Sequence, residues 1–582
     1  MTQGKLRLLF GLAAASALVA LTVACGDDST TATKTAAPAG SATGSTGASA
    51  AATTAPAGTK GGEITVQQTE PQSFDPTWSQ FGQDISVERM AWRGLYRLDK
   101  DNKPQPEMAA SAPQIAADGK TYTIKLRSGL KWSDGKPLLA KDFVAGLIRT
   151  CDPDNAGNYQ YVVSDIVGCD DYYNPDNQKK TDAEKQALRD KVAVRAVDDL
   201  TVEIKLINAQ PTFTIILALW ATFPIPSHIV TTPGAKWPSV DKLAYNGPFK
   251  IQSYAAKDNV VLVRNDNYYG TQALLDKITM KFIDKLDVAE NAYRAGQLQM
   301  TQANLVNLAV IKADPTLGKE YVQTARAATR AIHINQLHKP LDNYEVRLAL
   351  AQATDRATLI KVAFNGAHVL STTWMPPNVV AGGVTATSFA KTTGYDPEAA
   401  KKHLEKAGYP GGKDFPKLVF VISDTPDRKA TAEFVKEQWK KILNIDIDVQ
   451  VVDGKTRAAR FLALDYDLFF GGWSQDYPDP ENWVLGLWNT GGSGNHYGVS
   501  DPKLDELYKK AQFNTNDEER RAQWREINVL LSENPMDAGV VLYQESFNYL
   551  INPKLKGAKE NATVQDGTLA GDWNAEAWSL SK

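Results

Sequence analysis

Cysteine is scarce in this chain of 582 residues, with three in all, and histidine is little commoner at six. So few cysteines exclude a disulfide-scaffold protein. Neither sign of charge prevails: the formal net charge is −3, so there is no basic footprint of the kind a nucleic-acid binder carries. Catalytic signatures are missing as well. There is no Gly-x-Ser-x-Gly elbow, no His-Glu-x-x-His, no Walker loop and no dinucleotide fingerprint. Gly119-Lys120-Thr121 and Gly454-Lys455-Thr456 each lack the upstream glycine of a phosphate loop. His333 and His338 are the only histidines near one another, at a spacing that does not share a helical face, and no metal site is expected. A pair of carboxylates acting as in a glycosidase has no sequence signature, so a surface hydrolase stays as the rival from another class. Beyond residue 24 no apolar run is long enough to span a membrane. The richest, Thr212 to Pro226, is interrupted by Pro224 and Pro226 and reads as buried strand or helix.

What is present is an average globular composition, 43% hydrophobic and 23% charged, with core enough for three or four domains at about 150 residues each. The N-terminus departs from that average. Lys5 and Arg7 precede an uncharged run from Leu8 to Ala24, the layout of a secretory signal peptide. The run ends in Leu21-Thr22-Val23-Ala24-Cys25, which resembles the lipobox of bacterial lipoproteins. Cleavage before Cys25 and acylation of its thiol, by chains such as palmitate, would remove residues 1–24 and fix the mature chain to the outer face of the cell membrane. Loss of the two basic residues makes that chain slightly more acidic. Residues 26–60 are Ala, Thr, Ser, Gly or Pro except Asp27, Asp28, Lys34 and Lys60, so residues 25–60 read as lipidated cysteine and disordered tether. A flexible chain of that length spans about 30–35 Å. Outside the cytoplasm the remaining Cys151 and Cys169 favour a disulfide. A metal pair is the other reading, weakened because no histidine or further cysteine has ligand spacing nearby.

From Gly61 on, strand-like and helical segments alternate without repeat or second linker, which argues for α/β architecture. Strands are expected at 63–66, 122–126, 201–206, 260–263, 418–422 and 445–452. Helices are expected at 344–353, 397–407, 430–443 and 517–531. The most unusual segment is Tyr466 to Trp483. There a buried strand runs into Gly471-Gly472 and then into a knot of aromatic, acidic and proline residues. Paired glycines let another backbone come close, and the carboxylate of Asp476 just beyond suits a cationic group. On these residues alone, a structural turn with core aromatics is an equal reading.

Taken together the motifs resemble family 5 solute-binding proteins of ABC importers, the oligopeptide- and dipeptide-binding lipoproteins. The likeness runs in order through Ser73-Phe74-Asp75-Pro76, Arg93-Gly94-Leu95-Tyr96, Asp118 to Arg127, Leu130-Lys131-Trp132-Ser133-Asp134-Gly135 and Ala140-Lys141-Asp142-Phe143-Val144. It continues through Asn246-Gly247-Pro248-Phe249, Arg294-Ala295-Gly296-Gln297, Ile334-Asn335, Val346 to Leu350, Asp355-Arg356 and Ala407-Gly408-Tyr409-Pro410. The resemblance implies a two-lobed periplasmic-binding-protein type II fold with an additional small domain, the lobes joined by hinge crossovers. Lobe I would comprise 61–95, 196–330 and 542–582, the small domain 96–195, and lobe II 331–541.

It also implies a function. A membrane-anchored, extracytoplasmic receptor without catalysis or cofactor would capture peptides and deliver them, as a monomer, to ABC permease and ATPase subunits. Other solutes, such as an oligosaccharide or metal chelate, and a peptide-sensing role remain alternatives. Residue by residue, Asp476 matches the aspartate that binds a peptide's α-amino group. Gly472 and Ser474 match positions whose main chains pair with the peptide, Tyr159 matches a tyrosine lining the site, and Trp473 would exclude water. Asp479 reads as a turn residue. The sequence departs from the pattern at Phe470, where some members carry an arginine. It departs again near Glu545, where a tyrosine contacts peptide and Tyr543 is the neighbouring candidate.

Overall fold

Each segment of strand period named above becomes a strand of the computed structural model. These are Glu63–Gln68, Thr121–Lys125, Thr201–Lys205, Asn259–Arg264, Leu418–Ser423 and Ile447–Val452. The structure describes residues 59–581 except 100, 232–235, 381–382, 486, 493 and 560–572. The expected signal peptide, Cys25 and nearly all of the tether lie outside the described residues. The helices Tyr344–Gln352, Pro397–Lys406 and Asp517–Ser532 begin where Asn343, Asp396 and Asn516 accept hydrogen bonds from the first free amides. The helix Pro426–Leu443 starts four residues before the expected Ala430, because Pro426 sets the first helical φ at no cost in hydrogen bonds. Among the described residues no helix is long and apolar enough to cross a membrane. Thr212 to Pro226 is instead a buried turn of helix, Phe213–Ile216, followed by a 3-10 turn at Trp220–Thr222.

An eleven-stranded sheet organises the molecule. One half holds Met300–Gln302, Glu63–Gln68, Lys277–Phe282, Asn259–Arg264 and Phe249–Ala255, and the other Leu468–Ser474, Leu418–Ser423 and Ile447–Val452. Two long antiparallel strands, Tyr321–Ile334 and Val540–Ile551, run through both halves and join them into a two-lobed α/β fold. Their register is interrupted between Ala325 and Thr329 and again between Arg330 and Ala331, so the ladder is weakest where the halves meet. The expected crossover positions face each other there, with Ala331 paired to Val541.

A separate four-stranded sheet takes the order Gln114–Ile115, Thr121–Lys125, Thr201–Lys205, Val194–Asp198. The expected limit of the small domain at residue 195 therefore falls inside a hairpin. Val194–Asp198 and Thr201–Lys205 pair with each other, so both belong to this sheet. Nor does the small sheet have a core of its own. Ile124, Trp132, Phe143 and Ile204 are buried in one continuous cluster with Val66, Trp92 and Leu262 of the first lobe. The second lobe alternates its side chains onto two faces. Ile332, Phe420, Leu468 and Leu542 lie in one cluster, and Ala331, Trp374, Trp483, Trp488 and Val541 in the other.

Candidate functional site

The strand Leu468–Ser474 is apolar at its start, and Leu468, Phe469 and Phe470 are buried. On one side it pairs with Tyr321–Ile334 along its whole length, from Ile334 opposite Leu468 to Ala328 opposite Ser474. On the other side it pairs with Leu418–Ser423 only at Leu468 and Phe469. From Phe470 to Ser474 that edge has no strand beside it among the described residues. The Gln475 amide donates to the Ala327 carbonyl at 2.8 Å. In an antiparallel ladder bonded pairs recur every second residue, so Trp473 and Gly471 bond inward and Gly472 and Ser474 turn their main chains to the open edge. The glycines answer to the inner partner. A Cβ on Gly472 would lie 2.1 Å from the Thr329 carbonyl oxygen, and one on Gly471 would lie 2.6 Å from the His333 ring. The close backbone is that of the neighbouring strand.

Beyond the strand end lies Asp476, 8% exposed. Tyr159 Oη donates to its Oδ1 at 2.6 Å and Tyr161 Oη to its Oδ2 at 2.6 Å. Asn482 Nδ2 donates to Oδ2 at 3.0 Å, while Asn482 Oδ1 accepts from the Asp476 amide at 2.9 Å and from Trp473 Nε1 at 3.1 Å. All three side-chain donors to the carboxylate are neutral, and no ion pair reaches it among the described residues. Burial pushes the Asp476 carboxyl above the ordinary range, and the bonds from Tyr159, Tyr161 and Asn482 oppose this. A carboxylate offers about four acceptor positions, of which three are used. The arrangement can therefore take one more donor, and a cation would compensate the buried charge. Burial and the same carboxylate hold the Tyr159 and Tyr161 hydroxyls far above the usual tyrosine range, so both act as donors.

The two tyrosines sit on the chain between Cys151 and Cys169, which are joined by a disulfide with Cα atoms 5.2 Å apart. This loop is tied to the first lobe by Arg149, paired to Asp75 at 2.6 Å, and by Asn155 Nδ2, bonded to Thr77 Oγ1 at 3.0 Å. Gly157 lets the loop close on Thr77, whose carbonyl oxygen would lie 2.2 Å from a Cβ there. The Tyr159 ring packs edge-on against Trp220 at 4.7 Å. The carboxylate belongs to the second lobe and its hydroxyl donors to the first-lobe side. Two further contacts cross at the same place: Tyr477 is buried in the first-lobe cluster, and Thr212 Oγ1 donates to Glu481 Oε2 at 3.1 Å.

Asp479 is a turn residue, as expected, and an ion-pair partner as well. It caps Pro480–Trp483 through the Glu481 amide at 2.9 Å and forms a buried bidentate pair with Arg520 at 2.8 and 2.7 Å. Tyr543 lies in the second-lobe core, stacked on His368 at 4.7 Å. Glu545 is held by Arg330 at 2.7 Å and Arg326 at 3.2 Å. The structure thus brings together Asp476, Tyr159, Trp473, Gly472 and Ser474. Two members of the cluster escaped the sequence reading. Tyr161 carried the signal of a second tyrosine two positions on, and Asn482 had none beyond its place in the proline-bracketed turn. No group of metal-ligating side chains occurs among the described residues.

Comparison with known proteins supplies a family and several relatives. The family model described as bacterial extracellular solute-binding proteins, family 5 (middle part), matches residues 103–495. The chain is similar to the oligopeptide-binding protein OppA of Bacillus subtilis, 28% identical over 504 residues, covering 84% of this chain and 88% of that one. It is also similar to the probable deoxycholate-binding periplasmic protein YgiS of Escherichia coli, 27% identical over 499 residues, with coverage of 84% and 89%. Among solved structures, Listeria monocytogenes OppA bound to peptide superposes with a TM-score of 0.68 at 25% identity, covering 90% of this chain and 100% of that one.

Proposed function

From the premise that this chain belongs to the bacterial extracellular solute-binding proteins of family 5, we propose that it is a peptide receptor of an ABC importer. It binds the peptide's α-ammonium group at Asp476 and its main chain at the open edge of Gly472 and Ser474, and performs no covalent chemistry. One observation carries this reading: among the described residues, a buried carboxylate with only neutral donors stands at the end of a strand edge without a neighbour. Terminal ammonium and main-chain groups are common to all peptides, so anchoring them tolerates varied side chains, as in strand addition elsewhere. The relative in Bacillus subtilis is named for oligopeptides and the one in Escherichia coli for deoxycholate, so a two-lobed trap alone does not choose the ligand. The carboxylate of Asp476, without a cationic partner among the described residues, supports a ligand with an ammonium group, because a bile-acid-like anion would be repelled there.

Lobe closure brings Tyr159 and Tyr161 onto the carboxylate, and the closed monomer docks on the permease, whose ATPase drives import. Cys25 carries the lipid that holds the chain at the outer membrane face, with residues 25–60 as its tether. Replacing Cys25 by serine releases the protein from the membrane fraction. The ligand is tested by calorimetry with a short peptide and its N-acetylated form. Binding of the free amine with at least tenfold loss on acetylation supports the reading, and equal affinity for both overturns the anchor at Asp476.

A further inference from the structure

The helix Ala140–Thr150 carries more apolar surface than its packing uses. Phe143 and Leu147 are buried in the first-lobe cluster, which accounts for one apolar face. Lys141, Val144, Ala145, Ile148 and Arg149 recur at three and four residues and share another. Val144, Ala145 and Ile148 are only half-buried there. This second face lines a cavity of about 280 Å³, together with Ile225, Ser227, Val230 and Thr231 from one segment and Arg189 from another. None of these residues belongs to the cluster around Asp476.

The charged lining of the cavity is all positive, with no aspartate or glutamate in it. Arg149 is 6% exposed and gives Nε and Nη2 to Asp75 at 3.1 and 2.6 Å. Its Nη1 is buried without a hydrogen-bond partner. Arg189 Nε donates to Tyr172 Oη at 3.3 Å, and that hydroxyl donates to Asp152 at 3.0 Å. Asp152 follows Arg149 by three residues, so Arg189 stands at the Arg149 end of the cavity. Neither Arg189 nor Lys141 makes an ion pair among the described residues. A cavity with aliphatic walls and guanidinium groups at one end complements an amphipathic anion.

We propose that this cavity is a second binding site, separate from the cleft at Asp476, for an aliphatic carboxylate of medium chain length. The chain lies between Val144, Ala145 and Ile148 on one side and Ile225 and Val230 on the other. The carboxylate meets Arg149 Nη1 and Arg189. At about 1.5 Å rise per residue, the helix face from Lys141 to Arg149 is about 12 Å long, the reach of a medium-chain fatty acid. A neutral alcohol would gain the apolar contact but leave the guanidinium groups unanswered. A peptide is poorly served, because its main-chain polar groups would lie unpaired against valine, alanine and isoleucine. The site does not depend on what the cleft binds.

Calorimetry on the full chain with hexanoate, octanoate, decanoate and decanol tests this. Decanoate is expected to bind about tenfold or more tighter than decanol, and affinity should rise about three- to fourfold per methylene group along the acids. Ala145→Trp fills the cavity and should abolish binding. Arg189→Gln, at a half-buried position, should weaken decanoate about tenfold with an unchanged melt, which keeps the test open if the tryptophan variant does not fold. Lys141→Gln, at the far end, should change it less. The proposal is overturned if none of the acids binds, if decanol binds as tightly as decanoate, or if Arg189→Gln leaves the affinity unchanged. It is overturned as well if Asp476→Asn alters decanoate binding, which would place the acid in the cleft.

Discussion

Tyr161 donates its hydroxyl to Asp476 at 2.6 Å from a loop closed by a disulfide on the first-lobe side, while Asp476 belongs to the second lobe. With Tyr159 on the other carboxylate oxygen, the lobes are latched through the group proposed to hold the ligand.

Asp476→Asn is expected to weaken peptide binding by roughly 3–5 kcal/mol, since a buried ammonium loses its charged partner. Calorimetry on the variant with a free-amine peptide checks it, and unchanged affinity removes Asp476 from the site.

A pH profile follows from the same group. Burial raises the Asp476 carboxyl above its ordinary 3.8, so the folded chain keeps this proton to a higher pH than the unfolded chain. Its contribution to stability is full below that ordinary value and is lost as pH rises through the folded value. Ammonium binding needs the ionised form, so affinity falls on acidification, starting above the usual carboxylate range. Titrating peptide affinity against pH should show this fall in the native protein and a flat response at this group in Asp476→Asn.

Tyr161→Phe removes one charge-assisted hydrogen bond, worth about 1.5–3 kcal/mol when the acceptor is ionised. The fall of affinity in acid should also begin at a higher pH, because that bond is one of those lowering the carboxyl. An acid limb that stays in place would mean the hydroxyl does not touch the carboxylate in solution.

Serine at both Cys151 and Cys169 frees a loop with a sequence separation of 18. The expected loss of stability is about 3 kcal/mol on the chain-entropy account. The tyrosines ride on that loop, so affinity for peptide should fall as well. Thermal melts with and without reductant, beside calorimetry, test the two effects separately.

Gly472→Ala sets a methyl group 2.1 Å from the Thr329 carbonyl oxygen, so the strand must shift. A cost of about 1–3 kcal/mol is typical of such overpacking, together with weaker ligand binding along the displaced edge. A melt equal to that of the native chain would show that the two strands lie further apart than described.

Much of this was legible in the chain. Hydrophobic period gave Thr121–Lys125 and Leu418–Ser423 as strands, and 344–353 and 397–407 as helices, because these signals are local. Asp476, Tyr159 and Trp473 stood out through their order among familiar motifs. Tyr161 and Asn482 did not, since their importance lies in a distance to Asp476 that no local pattern encodes. The same holds for the small sheet, whose partner strands Thr121–Lys125 and Thr201–Lys205 are separated by a long excursion.

The sequence by itself determined the period of each element, the glycines that let strands approach, and the scarcity of cysteine that leaves Cys151 and Cys169 to each other. Only the tertiary structure decided which charges are answered. Asp479 finds Arg520 and Glu545 finds Arg330, while Asp476, Arg428 and Arg457 have no charged partner among the described residues. Compensation of charge depends on separations of a few ångströms between residues far apart in the chain, and burial makes those separations decisive.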